Sequence, residues 1–206
     1  PLHMMYNWFP VPIQCSIIQD FDQQKLISSL NFSKTEDPSY FGDSKNIDQI
    51  HDKEVFSFLN KSIKENIKQY LNSLGCTDQL NISVQKSWAV VLSKGGYVKK
   101  HNHPNSHLSC IFYLKVSDSV IKFYRDDNHP LNNLPIRYNT DTIFNHQYGA
   151  FQPIDGMLLV FPSSLYHEVE VYEDTTERYS ISYDIMLSCD IPQENMMLTP
   201  SKWKIL

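Results

Sequence analysis

The sequence has no C-x-x-C pair, no run of lysine or arginine, no internal repeat and no apolar stretch near the roughly 18 residues that a membrane-spanning helix requires. Each absence removes a class of reading. The net charge is −5 and Lys99-Lys100 is the only basic pair of note, so the basic stripe of a nucleic-acid surface is missing. Cys15, Cys76, Cys110 and Cys189 are scattered, and no secretory leader is read at the start. The thiols are therefore expected to stay reduced in a cytoplasm. Pro1-Leu2-His3 reads as a cloning remnant ahead of a natural start at Met4 or Met5. Neither nucleic acid nor membrane is an expected partner, and nothing in the sequence sets the oligomeric state.

What is present describes an ordinary folded domain. Apolar residues make up 41% and charged residues 20% of 206, enough for one domain with a sizeable core. Aromatics reach 13%, with twelve Tyr and eleven Phe, which suits a β-rich fold. Residues 6–19 read as a strand lead-in whose prolines confine it to an edge. Residues 22–31 read as a short helix with Leu26, Ile27 and Leu30 on one face, and the polar stretch 32–50, with Pro38 and Gly42, reads as loop. Over 53–74, Val55, Phe58, Leu59, Ile63, Ile67, Tyr70, Leu71 and Leu74 recur at helical spacing and Gly75 stops the pattern. That stripe is expected to pack on a sheet; the competing reading is a partner-binding face.

From residue 80 the pattern changes to short runs rich in Val, Ile, Tyr and Phe: 81–92, 108–116, 119–125, 157–161, 167–172 and 178–186. Turns are expected at Gly95-Gly96, Asp126-Asp127, Asp155-Gly156 and Glu173-Asp174. Helices first and strands after predict an α+β, mainly β fold, a sandwich or barrel of antiparallel strands. A single domain 1–206 divides into an N-terminal part 6–80, a β core 81–188 and a tail 189–206. A long polar insert, 126–153, is expected as a lid or binding loop.

Two constellations carry chemistry. His101 and His103 stand two apart before a strand, and on an extended segment residues i and i+2 point the same way, so two imidazoles can meet one metal. The plain alternative is a pair of surface histidines in a polar loop. Further on, Asp155-Gly156 turns into a buried strand that stops at Pro162. His167 then begins the next strand, and eleven residues later Arg178 opens another on which Arg178, Ser180 and Ser182 share a face. An arginine on a polar face inside a β core needs a partner; the plain alternative puts it at a sheet margin, paired with Glu177 or Glu168. His51, His129 and His146 read as surface residues, with His146 a weak candidate for substrate contact. Trp88 and Phe123 read as core.

The ordered set of His-X-His, buried strand, His and Arg-X-Ser resembles the 2-oxoglutarate/Fe(II) oxygenase superfamily and its His-X-Asp … His … Arg-X-Ser pattern. Gly96-Tyr97-Val98, HNHPN (101–105) and SCIFYL (109–114) are similar to the metal-strand region of oxygen-sensing prolyl hydroxylases, and HNHPNSHLS (101–109) and LVFPSSLYH (159–167) are similar to small stand-alone oxygenases of bacteria and phages. WFPVPIQ (8–14) is similar to the stand-alone group. The resemblance covers 84–186 well and the N-terminal part only loosely. It implies a double-stranded β-helix (jelly-roll, cupin-like) with N-terminal supporting helices, and a dioxygenase using Fe(II), 2-oxoglutarate and O₂ to hydroxylate an unactivated C–H bond of a peptide, such as a peptidyl proline, or of a small molecule. It implies His101, His103 and His167 as metal ligands and Arg178 on the far carboxylate of 2-oxoglutarate, where a guanidinium fork suits a planar anion. Ser180 and Tyr113 are implied hydroxyl donors to the same carboxylate, with Tyr113 equally readable as a core aromatic. The chain departs from the family at 103, where a histidine stands in place of the triad's carboxylate and leaves the site one charge more positive. His107, at cupin-like spacing, competes with His103 as second close ligand. The reading from another class is a cupin-like metal-binding module without oxygenase activity. The implied location is a cytoplasm, that of a host if phage-borne.

Overall fold

The Val- and Ile-rich runs form strands, the central ones apolar on both faces because a helix layer covers one side and a second sheet the other. A computed structural model describes residues 3–33, 43–44, 49–76, 80–189 and 199–206. In chain order the elements are β1 (Gln14–Ile17), α1 (Gln23–Ser28), β2 (Phe32–Ser33), β3 (Asp43–Ser44), α2 (Ser57–Ser73), β4 (Asn81–Leu92), β5 (Val98–His101), β6 (Leu108–Lys115), β7 (Ile121–Tyr124), β8 (Tyr148–Phe151), β9 (Met157–Pro162), β10 (His167–Val169) and β11 (Arg178–Ser188). They form a seven-stranded sheet in the order β1-β9-β6-β11-β4-β3-β2 and a four-stranded sheet in the order β5-β10-β7-β8. All pairings are antiparallel. This is the jelly-roll arrangement that the strand pattern and the resemblance imply.

The helices cover one face of the large sheet. Leu59, Ile63, Ile67 and Tyr70 of α2 are buried with Leu108, Cys110, Phe112, Leu158, Val160, Ile181, Tyr183 and Ile185 from the strands beneath. The stripe on α2 is core, as its period says, and the partner-binding reading of it falls. Residues one place along each strand point the other way, into the space between the sheets: Ile111, Tyr113, Leu159 and Phe161 meet Ile121 and Phe123 there. Ile67→Ala removes buried methyl groups from the helix side alone. It should lower unfolding free energy by about 2–5 kcal/mol, measured by urea denaturation, and leave metal affinity within a few-fold of the parent.

Several expected boundaries move. α2 begins at 57 rather than 53, because two 3₁₀ turns, Ile50–Asp52 and Glu54–Phe56, precede it and Lys53 is extended between them. Of the lead-in 6–19 only β1, which follows Pro10 and Pro12, is a strand, and it lies at the sheet edge. The stretch 32–50, expected as loop, contributes β2 and β3 to the sheet margin; Pro38 and Gly42 lie outside the described residues. The insert 126–153 is shorter than its polarity suggests. β8 occupies its end and pairs with β7, so the free segment runs only to 147. Tyr-Gly-Ala-Phe gives β8 almost no alternation to read. Of the tail, 190–198 lie outside the described residues. The turn at Asp155-Gly156 holds: Gly156 has φ +80°, and a Cβ there would stand 2.3 Å from the Ile18 carbonyl oxygen. No helix among the described residues is long and apolar enough to cross a membrane.

Candidate metal centre

Strand register brings the histidines together. His101, the last residue of β5, lies directly opposite His167, the first of β10. His103 follows two residues on, its backbone N–H donating to the Ser163 carbonyl at 2.8 Å. One ring nitrogen from each of His101, His103 and His167 falls within 4.8 Å of the others, an arrangement able to hold a metal ion. Ring centroids are 4.3 Å apart for His101–His167 and 5.2 Å for each pair that includes His103. The surface-pair reading fails, since His167 is buried and His101 and His103 are half-buried with their rings turned into one cavity.

Each ring is held from behind through Nδ1. His101 Nδ1 is 2.7 Å from the Lys99 carbonyl, His167 Nδ1 is 3.0 Å from the Leu165 carbonyl, and His103 Nδ1 is 2.5 Å from Asp184 Oδ1. All three acceptors are oxygens without a proton, so each Nδ1 carries the hydrogen and donates. A neutral ring then presents its Nε2 lone pair to the cluster. Burial lowers His101 from its ordinary value, and burial, reinforced by His101 and His103, pushes His167 down to about 3. Three neutral nitrogen donors suit a first-row divalent ion, iron(II) among them.

The same cavity contains Arg178, Ser180 and Ser182, with Trp88, Ile111 and Val90 on its walls. Arg178 is only 1% exposed, so the sheet-margin reading falls: Glu177 is bonded to Tyr179 and Glu168 to Tyr124. Its Nε donates to Ser119 Oγ at 3.0 Å and its Nη1 to Ser180 Oγ at 3.1 Å. No carboxylate among the described residues pairs with it. A buried guanidinium held only by two hydroxyls is a costly arrangement that an anion would relieve. Tyr113 stands opposite Ser180 in the sheet, 5.1 Å from ring centroid to the guanidinium carbon, and its fully buried hydroxyl has no hydrogen-bond partner. Burial pushes that hydroxyl up to about 12, against the pull of Arg178, so it remains a donor. A buried cation and three imidazoles line one cavity, with the Tyr113 hydroxyl buried nearby, a set that fits a ligand offering both a carboxylate and metal-binding oxygens.

The remaining histidines and aromatics divide: His146 is at the surface and Phe123 in the core as expected, and the others differ. His107 is outside the cluster; it is exposed, and its Nδ1 accepts from the Leu187 backbone N–H at 2.9 Å. His51 is half-buried against Ser87 Oγ at 2.7 Å, and His129 Nδ1 accepts from the Leu131 N–H; neither is a simple surface residue. His146 is exposed. Trp88 is cavity wall rather than core alone, 5.4 Å from His103, and Phe123 packs 5.7 Å from His167. Asp184, Ser109 and Ser119 went unread. Asp184 was accessible: Arg178, Ser180, Ser182 and Asp184 are consecutive even positions of one strand face. Ser119 gave no signal, since only the fold brings it to Arg178.

Residues 86–184 match the family described as "Putative 2OG-Fe(II) oxygenase". A search of curated protein sequences found no match. Among solved structures the chain is similar to a 2OG-Fe(II) oxygenase family oxidoreductase from Burkholderia pseudomallei, at 11% identity over 84% of each chain and a TM-score of 0.54. It is similar to HygX from Streptomyces hygroscopicus, crystallised with nickel, 2-oxoglutarate and hygromycin B, at 10% identity over 85% of this chain and 83% of that one, TM-score 0.59. A prolyl hydroxylase from Trichoplax adhaerens, in complex with a hypoxia inducible factor oxygen degradation domain peptide, shares 15% identity over 84% and 83%, TM-score 0.52. At these identities the structural likeness speaks for the fold.

Proposed function

We propose that this chain is a 2-oxoglutarate/Fe(II) oxygenase that hydroxylates an unactivated C–H bond, with iron(II) held by His101, His103 and His167 and 2-oxoglutarate anchored by Arg178, a reading that the family match over residues 86–184 supports. One observation carries the reading: a buried arginine without an acidic partner shares a cavity with three convergent imidazoles. The cupin-like binding module uses the imidazoles but leaves Arg178 with nothing to bind.

When bound, iron(II) with 2-oxoglutarate and O₂ supplies the oxidising chemistry, giving succinate, CO₂ and one hydroxyl on the substrate. The chain's own residues do the rest. The three imidazoles keep Nε2 aimed inward through fixed Nδ1 bonds, so little reorganisation accompanies ligation. Arg178, with Ser180 and Tyr113, takes the far carboxylate of 2-oxoglutarate and fixes the end that faces the histidines. Ile111 and Trp88 wall the site, and Phe123 and Phe161 pack against the His167 ring, so that apolar side chains exclude water from a reactive centre. No residue is assigned as a general base, because hydrogen leaves carbon as an atom and not as a proton.

The segment 126–147 is the natural cover for the primary substrate, and a peptidyl proline is the first candidate. The neighbours alone do not choose between peptide and small molecule, one being crystallised with a peptide and one with hygromycin B. Iron(II)-loaded protein should release succinate from 2-oxoglutarate in air, and a proline-bearing peptide panel should raise that rate and gain one oxygen by mass spectrometry. Absence of any 2-oxoglutarate-dependent succinate would end the oxygenase reading. Stimulation only by small metabolites would end the peptidyl part.

A further inference from the structure

We infer that Asp184 restores, from behind His103, the negative charge that the superfamily's triad carries on a ligating carboxylate; the inference rests on the metal centre proposed above. His103 occupies the position at which the resemblance expects that carboxylate. Three neutral imidazoles around a divalent ion, with Arg178 in the same cavity, would leave buried positive charge uncompensated. Asp184 answers this in geometry. It is 5% exposed, its Oδ1 accepts from His103 Nδ1 at 2.5 Å, and the same oxygen accepts from Ser109 Oγ at 3.1 Å. Ser109, Ser163 and Ser106 continue the hydroxyl chain in steps of 2.9 Å. Among the described residues no lysine or arginine forms an ion pair with Asp184. Lys86, opposite it in the sheet, lies 4.2 Å from the Trp88 ring centroid instead. The carboxylate is thus free to act through His103. It fixes the Nδ1–H tautomer and makes Nε2 a stronger donor, while its charge sits one ring farther from the metal than in the usual triad. His101 and His167 rest on neutral carbonyls, so only the ring at the altered position has this support. Asp184 is a positioning residue: it touches a ligand and not the reacting atoms.

The test is Ni(II) affinity of the full chain, read by competition with a chelator and independent of turnover. Asp184→Asn keeps an oxygen acceptor for His103 and removes the charge; Ni(II) should bind about 10- to 100-fold more weakly. His103→Asp combined with Asp184→Asn moves the charge onto the metal position and should recover most of that loss, which a merely structural role for Asp184 would not produce. Equal affinity of the parent and Asp184→Asn, or no recovery in the double variant, overturns the inference. A parent chain that binds no Ni(II) overturns the metal centre beneath it. If Asp184→Asn does not fold, imidazole N–H resonances of the unaltered Zn(II)-loaded chain decide: one should lie well downfield of the other two, as a charge-assisted bond requires. Three clustered resonances contradict it.

Discussion

Arg178→Leu should make the metal-free chain no less stable, and more stable by up to a few kcal/mol, while weakening 2-oxoglutarate binding by roughly 100- to 1000-fold. The two effects have opposite signs because Arg178 is a poor contributor to folding and a good one to ligand binding. In the ligand-free chain it is a desolvated cation whose contacts are Ser119, Ser180 and the face of Tyr113. Burial already lowers its proton affinity, the mark of a charge short of compensation. Leucine would fill space in an apolar wall beside Leu92, its register partner on β4, without that penalty. Breaking a buried charge pair costs about 3–5 kcal/mol, which sets the expected loss of affinity once a carboxylate is the partner. Urea denaturation of the metal-free chain and titration of 2-oxoglutarate into Ni(II)-loaded protein measure the two halves. A variant that loses stability and keeps its ligand would mean that Arg178 is structural.

His167→Ala should abolish turnover, with succinate formation falling by more than about 100-fold, since disturbing only the support of a ligand already costs 10- to 100-fold. His167 is 2% exposed and faces His101 directly across β10 and β5, so its loss leaves two imidazoles and a gap in the wall. Phe123 and Phe161 pack on the ring and should hold the surrounding strands. Circular dichroism should therefore remain close to that of the parent while Ni(II) affinity collapses. His107→Ala, at the exposed histidine outside the cluster, should change neither turnover nor metal affinity appreciably.

The residues that sequence reading placed well are those whose spacing is itself the geometry. His101 and His103 were legible because an extended chain returns to the same side every second residue. Arg178 was legible because an arginine beginning a Ser-X-Ser strand face needs an explanation in a β core. β4 has the limits that the Val- and Ile-rich run suggested, although its alternation changes sides at a bulge beside Gln85, which puts Ile82 and Val84 on the helix face and Trp88, Val90 and Leu92 on the other. What escaped depends on contacts between distant stretches. Asp184 shares a face with Arg178, yet its partner His103 is 81 residues away. Ser119 reaches Arg178 across 59 residues from a loop before β7. β8 hides in a polar insert because hydrogen bonding to β7, and no buried face, makes it a strand. The three-histidine set leaves the site one charge more positive than the usual triad, and the inferred counter-charge lies one residue outward, two positions past Ser182 on the Arg178 strand face.

Titration of 2-oxoglutarate into the anaerobic Fe(II)-loaded chain tests the central claim most directly. The account predicts a visible metal-to-ligand charge-transfer band that saturates at one equivalent, and its loss in Arg178→Leu although Fe(II) remains bound. No band in the parent chain, or an undiminished band in Arg178→Leu, would contradict it.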